Sequence, residues 1–225
     1  MSANSKGVVV EFDFVATDGA KLLFDTLSSF LDNLDGLTID ARKEAMYFAG
    51  RDYLAAFQAY LDLNKSKKTA PKAAKDFADA FTAALTEAVP QAISPAFRAL
   101  VGSLKERGLK VIISSRIPTE TLTAALGDLL DETCVLYREV STIYGSPRWD
   151  SWRRACAENH VSNMSCIALT GSGFGVRSSL KAGMGVVAVL NPRVAYQDFS
   201  GADGIAERLD DGTDRLIFRA LRMEK

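Results

Sequence analysis

The chain has 225 residues, of which 48% are hydrophobic and 24% are charged. These proportions are typical of a globular protein, and the length is sufficient for a large hydrophobic core. The formal net charge of -1 creates no strong field for nucleic acid or an acidic membrane surface, so we expect neither as a partner. No apolar run reaches the roughly 18 residues of a membrane-spanning helix, and the N-terminal segment MSANSKG lacks the apolar centre of a signal peptide.

Cysteine and histidine usage argues against a structural metal site. The three cysteines, Cys134, Cys156 and Cys166, have spacings that match no metal-binding motif, and His160 is the single histidine. Their odd number and their apolar or helical surroundings indicate buried free thiols, which are typical of a reducing compartment. We therefore expect a cytoplasmic protein.

The first half of the chain changes from one strand to a series of helices. Residues Gly7–Phe14 form a β-branched run that ends in acidic and aromatic residues, which predicts a strand. From Gly19 to about Leu100, apolar residues recur at helical spacing. The polar, basic stretch Asn64–Lys72 interrupts this pattern, and we interpret it as a solvated turn rather than as a basic binding site.

From residue 95 onwards, helices and strands alternate. The predicted helices are Pro95–Arg107, Thr119–Leu130, Ser151–Asn159 and Val176–Ala182. The predicted strands are Leu109–Ser115, Cys134–Val140, Met164–Leu169, Gly185–Asn191 and Arg215–Leu221. This alternation predicts a mostly parallel sheet with helices on both faces.

In a parallel sheet of this kind, functional groups lie beyond the carboxyl ends of the strands. That geometry brings together four places that are far apart in the sequence. They are the residues after Val10, after Ile113, around Ser146 and after Leu169. These four places are therefore the candidates for a functional site.

Two long stretches carry a resemblance to a known family. Residues 93–116, ISPAFRALVGSLKERGLKVIISSR, and residues 166–192, CIALTGSGFGVRSSLKAGMGVVAVLNP, resemble the approach to the second motif and the fourth motif of the haloacid-dehalogenase (HAD) superfamily. The resemblance is to its β-phosphoglucomutase-like branch, which inserts a helical cap directly after the first strand. It implies an α/β fold with a Rossmann-like parallel sheet. It also implies a core domain of residues 1–17 and 94–225 and an all-helical cap of residues 18–93.

The resemblance gives Glu11 and Asp13 the two catalytic positions of this family. The family's first motif, DxDG[TV], supplies an Asp nucleophile and an Asp general acid and base, and it corresponds here to residues 11–15, EFDFV. Glu11 stands at the nucleophile position, Asp13 keeps the acid/base position, and Phe14 replaces a glycine. The longer Glu side chain displaces the carboxylate oxygens by about 1 Å, and a misplacement of that size can lower a rate roughly 100-fold. Phe14 puts a ring where glycine allows close approach.

The family's second motif is a Ser or Thr that binds the phosphoryl group, and Ser114 matches it. Together with Ser115 and Arg116, this residue could hold an anion through hydroxyls, backbone N–H groups and one guanidinium. In the alternative interpretation, Ser114 and Ser115 only cap the turn and Arg116 is solvated. The sequence leaves both interpretations open.

The remaining two motifs lack their charged residues. The third motif of the family supplies a lysine, and Ser146 stands at this position, two residues before Arg148, which we interpret as a surface residue. The fourth motif supplies an Asp that holds Mg²⁺, and Gly171 stands there. Because Mg²⁺ needs several oxygen ligands in near-octahedral geometry, we expect that no metal and no other cofactor is bound.

Three functions are compatible with these residues. We expect a non-catalytic protein that binds a protein partner or a small anionic ligand, because the nucleophile, the lysine and the metal ligand are all replaced. The alternative is a weak or repurposed phosphatase-like hydrolase that uses Glu11 and Asp13. A third possibility is a sensor that binds a small metabolite between core and cap.

Overall fold

The computed structural model describes residues 5–49, 51–139, 148–194, 196–210 and 212–223. Within these residues, six parallel strands form one sheet in the order β3-β2-β1-β4-β5-β6. The strands are β1 Gly7–Glu11, β2 Lys110–Ser115, β3 Cys134–Arg138, β4 Cys166–Thr170, β5 Gly185–Val189 and β6 Gly204–Ala206. The predicted parallel α/β sheet is confirmed, and β6 is a strand that the sequence pattern did not indicate.

Strand β1 lies at the centre of the sheet, hydrogen-bonded to β2 on one side and to β4 on the other. All of its residues are buried, because helices cover both faces of the sheet. Val8 and Val10 face one hydrophobic cluster and Val9 faces another, as the two-residue period of a strand requires. A continuous β-branched run is what a central parallel strand needs.

β1 ends at Glu11 and not at Phe14, so the predicted strand was too long at its C-terminal end. The pairing of β1 with β4 stops at Val10, and its pairing with β2 stops at Glu11. Beyond that point the backbone has no neighbouring strand to bond, and it satisfies its own polar groups by turning into a short helix. In this helix the Ala16 N–H donates to the Phe12 carbonyl oxygen at 3.0 Å.

Helices surround the sheet and supply most of the chain between β1 and β2. The α-helices of the described residues are α1 Phe12–Val15, α2 Gly19–Asp35, α3 Ala41–Lys43, α4 Tyr53–Leu63, α5 Ala70–Ala92, α6 Pro95–Glu106, α7 Thr119–Leu126, α8 Trp149–Glu158, α9 Gly173–Lys181 and α10 Thr213–Ala220. A π-helix spans Glu44–Phe48, and 3-10 helices span Gly127–Leu129, Asn163–Ser165 and Pro192–Val194. None of the helices in the described part of the chain combines the length and the apolar character that crossing a membrane requires.

Helices α2 to α5 form the helical insert, residues 19–92, between β1 and β2. Aromatic rings hold it together: the Phe77 ring lies 5.5 Å from the Phe57 ring and 4.8 Å from the Tyr53 ring, edge to face. Buried residues of the insert belong to the same hydrophobic cluster as one face of the sheet. The segment predicted to be helical is helical, whereas the division into separate core and cap domains stays a prediction.

The opposite face of the sheet is covered by α8. Trp152 of this helix is buried and donates a hydrogen bond from Nε1 to the Ser178 hydroxyl of α9 at 2.8 Å. Cys156 and Cys166 pack in the same cluster, and Cys134 packs on the other face. All three thiols are free and buried, as the sequence predicted.

The last predicted strand, Arg215–Leu221, is wrong, because these residues form most of helix α10. Ile217, Phe218 and Leu221 are buried, and their spacing places them on one face of a helix. A short apolar run does not distinguish helix from strand by itself. The edge of the sheet that this run could have joined is taken by β6, which pairs with β5.

The helical packing of α10 predicts that Ile217→Ala lowers the free energy of unfolding by about 2–5 kcal/mol, because truncation of a fully buried side chain leaves a cavity. Leu216→Ala should cost less, since Leu216 is only partly buried. Urea denaturation of both variants measures the difference. A larger loss for the Leu216 variant would contradict this packing.

Candidate functional site

Three neighbouring strands, β1, β2 and β4, end at the same edge of the sheet. Glu11 is the last residue of β1 and lies in register with Ser114 of β2. The structure therefore brings the predicted residues of three motifs to one edge. These residues are Glu11, Asp13, Phe14, Ser114, Ser115, Arg116 and Gly171. Ser146, the residue at the position of the family's lysine, lies outside the described residues.

The Glu11 carboxylate is held by the turn that follows β4. Its Oε2 accepts a hydrogen bond from the Thr170 hydroxyl and a second one, of 3.3 Å, from the backbone N–H of Gly171. The residue is only 2% exposed. These bonds fix the direction of the carboxylate, and the oxygen that they engage points at the protein's own β4 turn.

Both carboxylate oxygens of Asp13 are occupied by the turn that follows β2. Oδ1 accepts a hydrogen bond from the Ser115 hydroxyl, and Oδ2 accepts from the backbone N–H and the Nε–H of Arg116, each at 3.2 Å. Asp13 is 5% exposed and Arg116 is 2% exposed, so the two form a buried ion pair. The anion that Ser115 and Arg116 contact is thus Asp13 itself. Binding of an external anion by Ser114, Ser115 and Arg116 stays a prediction.

The helical insert encloses Arg116. Its guanidinium carbon lies 5.0 Å from the centroid of the Phe81 ring in α5. The Tyr53 side chain of α4 lies next to it: burial raises the pKa of Tyr53 to about 12, and the Arg116 charge opposes that rise. Burial would lower the pKa of Arg116, but Tyr53 and Asp13 outweigh it and raise this pKa above its ordinary value. The alternative interpretation of a solvated Arg116 is therefore wrong.

Phe14 and Gly171 fit each other sterically. A Cβ atom added to Gly171 would lie 2.5 Å from the Phe14 carbonyl oxygen and 2.9 Å from the Phe14 Cβ. The Phe14 ring continues towards the insert, where it lies 6.3 Å from the Phe81 ring. The backbone of Phe14 thus takes the space into which any side chain at position 171 would project.

The residues at this edge do not fit Mg²⁺. Gly171 offers no side-chain oxygen, the Asp13 carboxylate is bonded to Arg116, and the Asp13 carbonyl oxygen accepts a hydrogen bond from the Thr17 hydroxyl. Over the described ranges, no group of three or more His, Cys, Asp or Glu residues could hold a metal ion. The carboxylate of Glu11 alone offers far fewer oxygen ligands than Mg²⁺ takes.

Arg148 lies at the surface, as predicted. Its side chain is 41% exposed, and its Nε lies 3.4 Å from Oδ1 of Asp150.

Several contacts at this edge could not be found from the sequence. Phe81 and Tyr53 enclose Arg116 from the insert, yet locally they carry only the signal of core residues in a helix. Thr170 is a neutral residue directly after a predicted strand, and its role as the donor to Glu11 appears only once β4 is placed beside β1.

Solved structures of other proteins share the fold of this chain. No protein-family model and no curated protein matches the chain. The structure of CbbY from Rhodobacter sphaeroides in complex with phosphate has 18% sequence identity and a TM-score of 0.68, and the match covers 92% of this chain and 96% of that one. β-Phosphoglucomutase from Clostridium difficile has 16% identity and a TM-score of 0.67, with 97% and 96% covered. A HAD hydrolase of family IA, variant 3, from Entamoeba histolytica has 14% identity and a TM-score of 0.68, with 94% and 99% covered.

The buried ion pair predicts a strong energetic coupling. Arg116→Met leaves the Asp13 carboxylate buried without its cation and should lower the free energy of unfolding by about 3–5 kcal/mol. The double variant Asp13→Leu/Arg116→Met removes both charges and should lose much less than the two single variants together. Urea denaturation of the full cycle measures the coupling. Arg148→Met, at an exposed pair, is the control and should change stability by less than about 0.5 kcal/mol; additive losses across the cycle would refute the pairing.

The surroundings of Gly171 and Gly102 predict that alanine changes stability in opposite directions at these two positions. Gly171→Ala should lower the free energy of unfolding by about 1–3 kcal/mol, because the new methyl group overlaps the Phe14 backbone. Gly102→Ala in α6 meets no atom within 4 Å and should raise it by about 0.5–1 kcal/mol, as glycine is unfavourable inside a helix. Thermal denaturation of both variants provides the test, and a tolerated Gly171→Ala would disprove the close contact.

Proposed function

We propose that this chain, which has the fold of the haloacid-dehalogenase-like hydrolases, is a non-catalytic binding protein without magnesium-dependent phosphatase activity. The buried ion pair between Asp13 and Arg116 carries this proposal, because it engages the residue at the acid/base position together with the cation nearest to it. We also propose a cytoplasmic location, which the three free, buried thiols support.

The contacts of the two carboxylates argue against catalysis. A general acid or base must reach the atom that gains or loses the proton. Both Asp13 oxygens already accept hydrogen bonds from Ser115 and Arg116. Glu11, at the nucleophile position, is buried and bonded to Thr170. A substrate would have to displace these contacts before either carboxylate could act on it.

The charge balance also disfavours phosphate at this edge. Phosphoryl transfer depends on positioning and on cations that offset the charge of the phosphate. The Arg116 charge is already compensated by Asp13, and Glu11 adds a further carboxylate. Like charges about 4 Å apart repel by about 4 kcal/mol at a partly buried site. The molecule that this protein binds is therefore proposed to contact a different surface or cavity.

Because the proposed function is non-catalytic, we predict that hydrolysis of phosphomonoesters stays near background with and without Mg²⁺. The assay uses p-nitrophenyl phosphate and a panel of phosphorylated sugars, and it compares the wild-type chain with Asp13→Asn and Glu11→Gln. All three proteins should give the same residual rate, because neither carboxylate has a catalytic role. Asp150→Asn, a change at the exposed pair with Arg148, is the matched control.

The alternative function makes a different prediction in the same assay. Turnover above background that Asp13→Asn and Glu11→Gln both abolish, and that Asp150→Asn leaves intact, would overturn the proposal and establish a repurposed hydrolase. Binding of Mg²⁺ at the strand ends in a calorimetric titration would likewise contradict it.

A further inference from the structure

A cavity of about 40 Å³ lies between the helical insert and the sheet, beside the edge described above. Aromatic side chains form much of its wall. They are Phe14, Phe48, Tyr53, Phe77 and Phe174. Ring faces carry partial negative charge, so a cavity surrounded by rings favours a cation of matching size.

One acidic group, Glu44, also lines the cavity. Glu44 is 4% exposed and begins the π-helix, in which the Ala49 N–H donates to the Glu44 carbonyl oxygen at 3.0 Å. Its carboxyl group makes no hydrogen bond or ion pair to any other described residue. A buried carboxyl group without a partner is costly unless it is protonated or a ligand compensates it.

The charged groups around the cavity leave Glu44 only partly compensated. Burial raises the pKa of Glu44 to about 7, and the charge of Arg193, which stacks 4.5 Å from the Phe24 ring centroid, opposes this rise without forming an ion pair. Arg51 also lines the cavity, but it is exposed, so solvent screens its charge. Burial raises the pKa of Tyr53. Tyr196 is 47% exposed, and partial desolvation together with the Glu44 charge raises its pKa. Near neutral pH, Glu44 is therefore the group at this cavity that changes its charge.

We infer that this cavity binds a small alkylammonium ion of about the size of methylammonium, whose alkyl part contacts the aromatic wall and whose charge is compensated by the Glu44 carboxylate. A phosphate or carboxylate ligand is disfavoured, because it would bring a second negative charge next to Glu44. A neutral apolar ligand would fit the rings but would leave the carboxyl group uncompensated. An alkylammonium ion contacts the aromatic wall and also compensates the charge of Glu44.

The inference rests on the proposed binding function, and its test measures binding alone. If the protein proved to be an active phosphatase that also binds the ammonium ion, the proposed function would fail and this site would stand. If the protein lacked phosphatase activity and did not bind the ion, the proposed absence of catalysis would stand and this site would fail.

The experiment is a calorimetric titration of the full chain with methylammonium chloride, an ion small enough for a cavity of about 40 Å³, at constant ionic strength. The wild-type protein should show saturable binding, and Glu44→Gln should weaken it by about tenfold or more, as expected when a charged partner is lost. Glu87→Gln, at an exposed position of α5, is the matched control and should bind like wild type. Methanol, a neutral molecule of similar size, should bind more weakly than the cation.

The pH dependence gives a second readout with a defined sign. Methylammonium stays charged from about pH 6 to about pH 8, because alkylammonium groups have pKa values of about 10. Its affinity should therefore rise as pH increases from about 6 to about 8 and Glu44 ionises, and Glu44→Gln should remove this rise. Without ligand, the raised pKa of Glu44 makes the fold less stable as pH rises from about 4.5 to about 7, and thermal denaturation of Glu44→Gln should lack that loss. Absence of saturable binding, equal binding by Glu44→Gln, or equal affinity for methanol would overturn the inference.

Discussion

The buried ion pair between Asp13 and Arg116 is the constraint on which the strand-end edge depends. A guanidinium taken out of water is tolerated only where a carboxylate and further hydrogen bonds replace its hydration. The parallel register of β1 and β2 places Asp13 and Arg116 side by side, just after their strands end. Phe81 then covers the guanidinium from the helical insert. Insert and sheet are thereby joined by charge as well as by their shared hydrophobic cluster.

The other departures from the family motifs agree with this pairing. Because Arg116 compensates Asp13, the edge needs no external cation for that carboxylate. Thr170 is a neutral donor that holds Glu11, and Gly171 leaves room for the Phe14 backbone. Glu44 in the neighbouring cavity makes no hydrogen bond or ion pair to another described residue, and it faces a largely aromatic wall. These two features are why we infer cation binding in the cavity.

The sequence predicted the sheet and the helical insert because both depend on local periodicity: β-branched runs in β1, β2 and β5, and helical spacing between β1 and β2. It failed where the outcome depends on residues far away in the chain. The end of β1 is set by where β2 and β4 stop, and β6 is too short to show a period. The direction of Arg116 is set by Asp13 and Phe81, so the turn alone fitted a solvated arginine equally well.

Hydrogen exchange at the arginine Nε–H groups, followed by NMR, tests the central claim most directly. If Arg116 is paired with Asp13 beneath Phe81, its Nε–H should exchange with solvent far more slowly than that of the exposed Arg148, since exchange requires the buried contacts to open. The protected signal should be absent in Arg116→Lys and should lose its protection in Asp13→Asn. An Arg116 Nε–H that exchanges as fast as the Arg148 group would show that the pair opens freely, and the proposed closed ion pair between Asp13 and Arg116 would then be wrong.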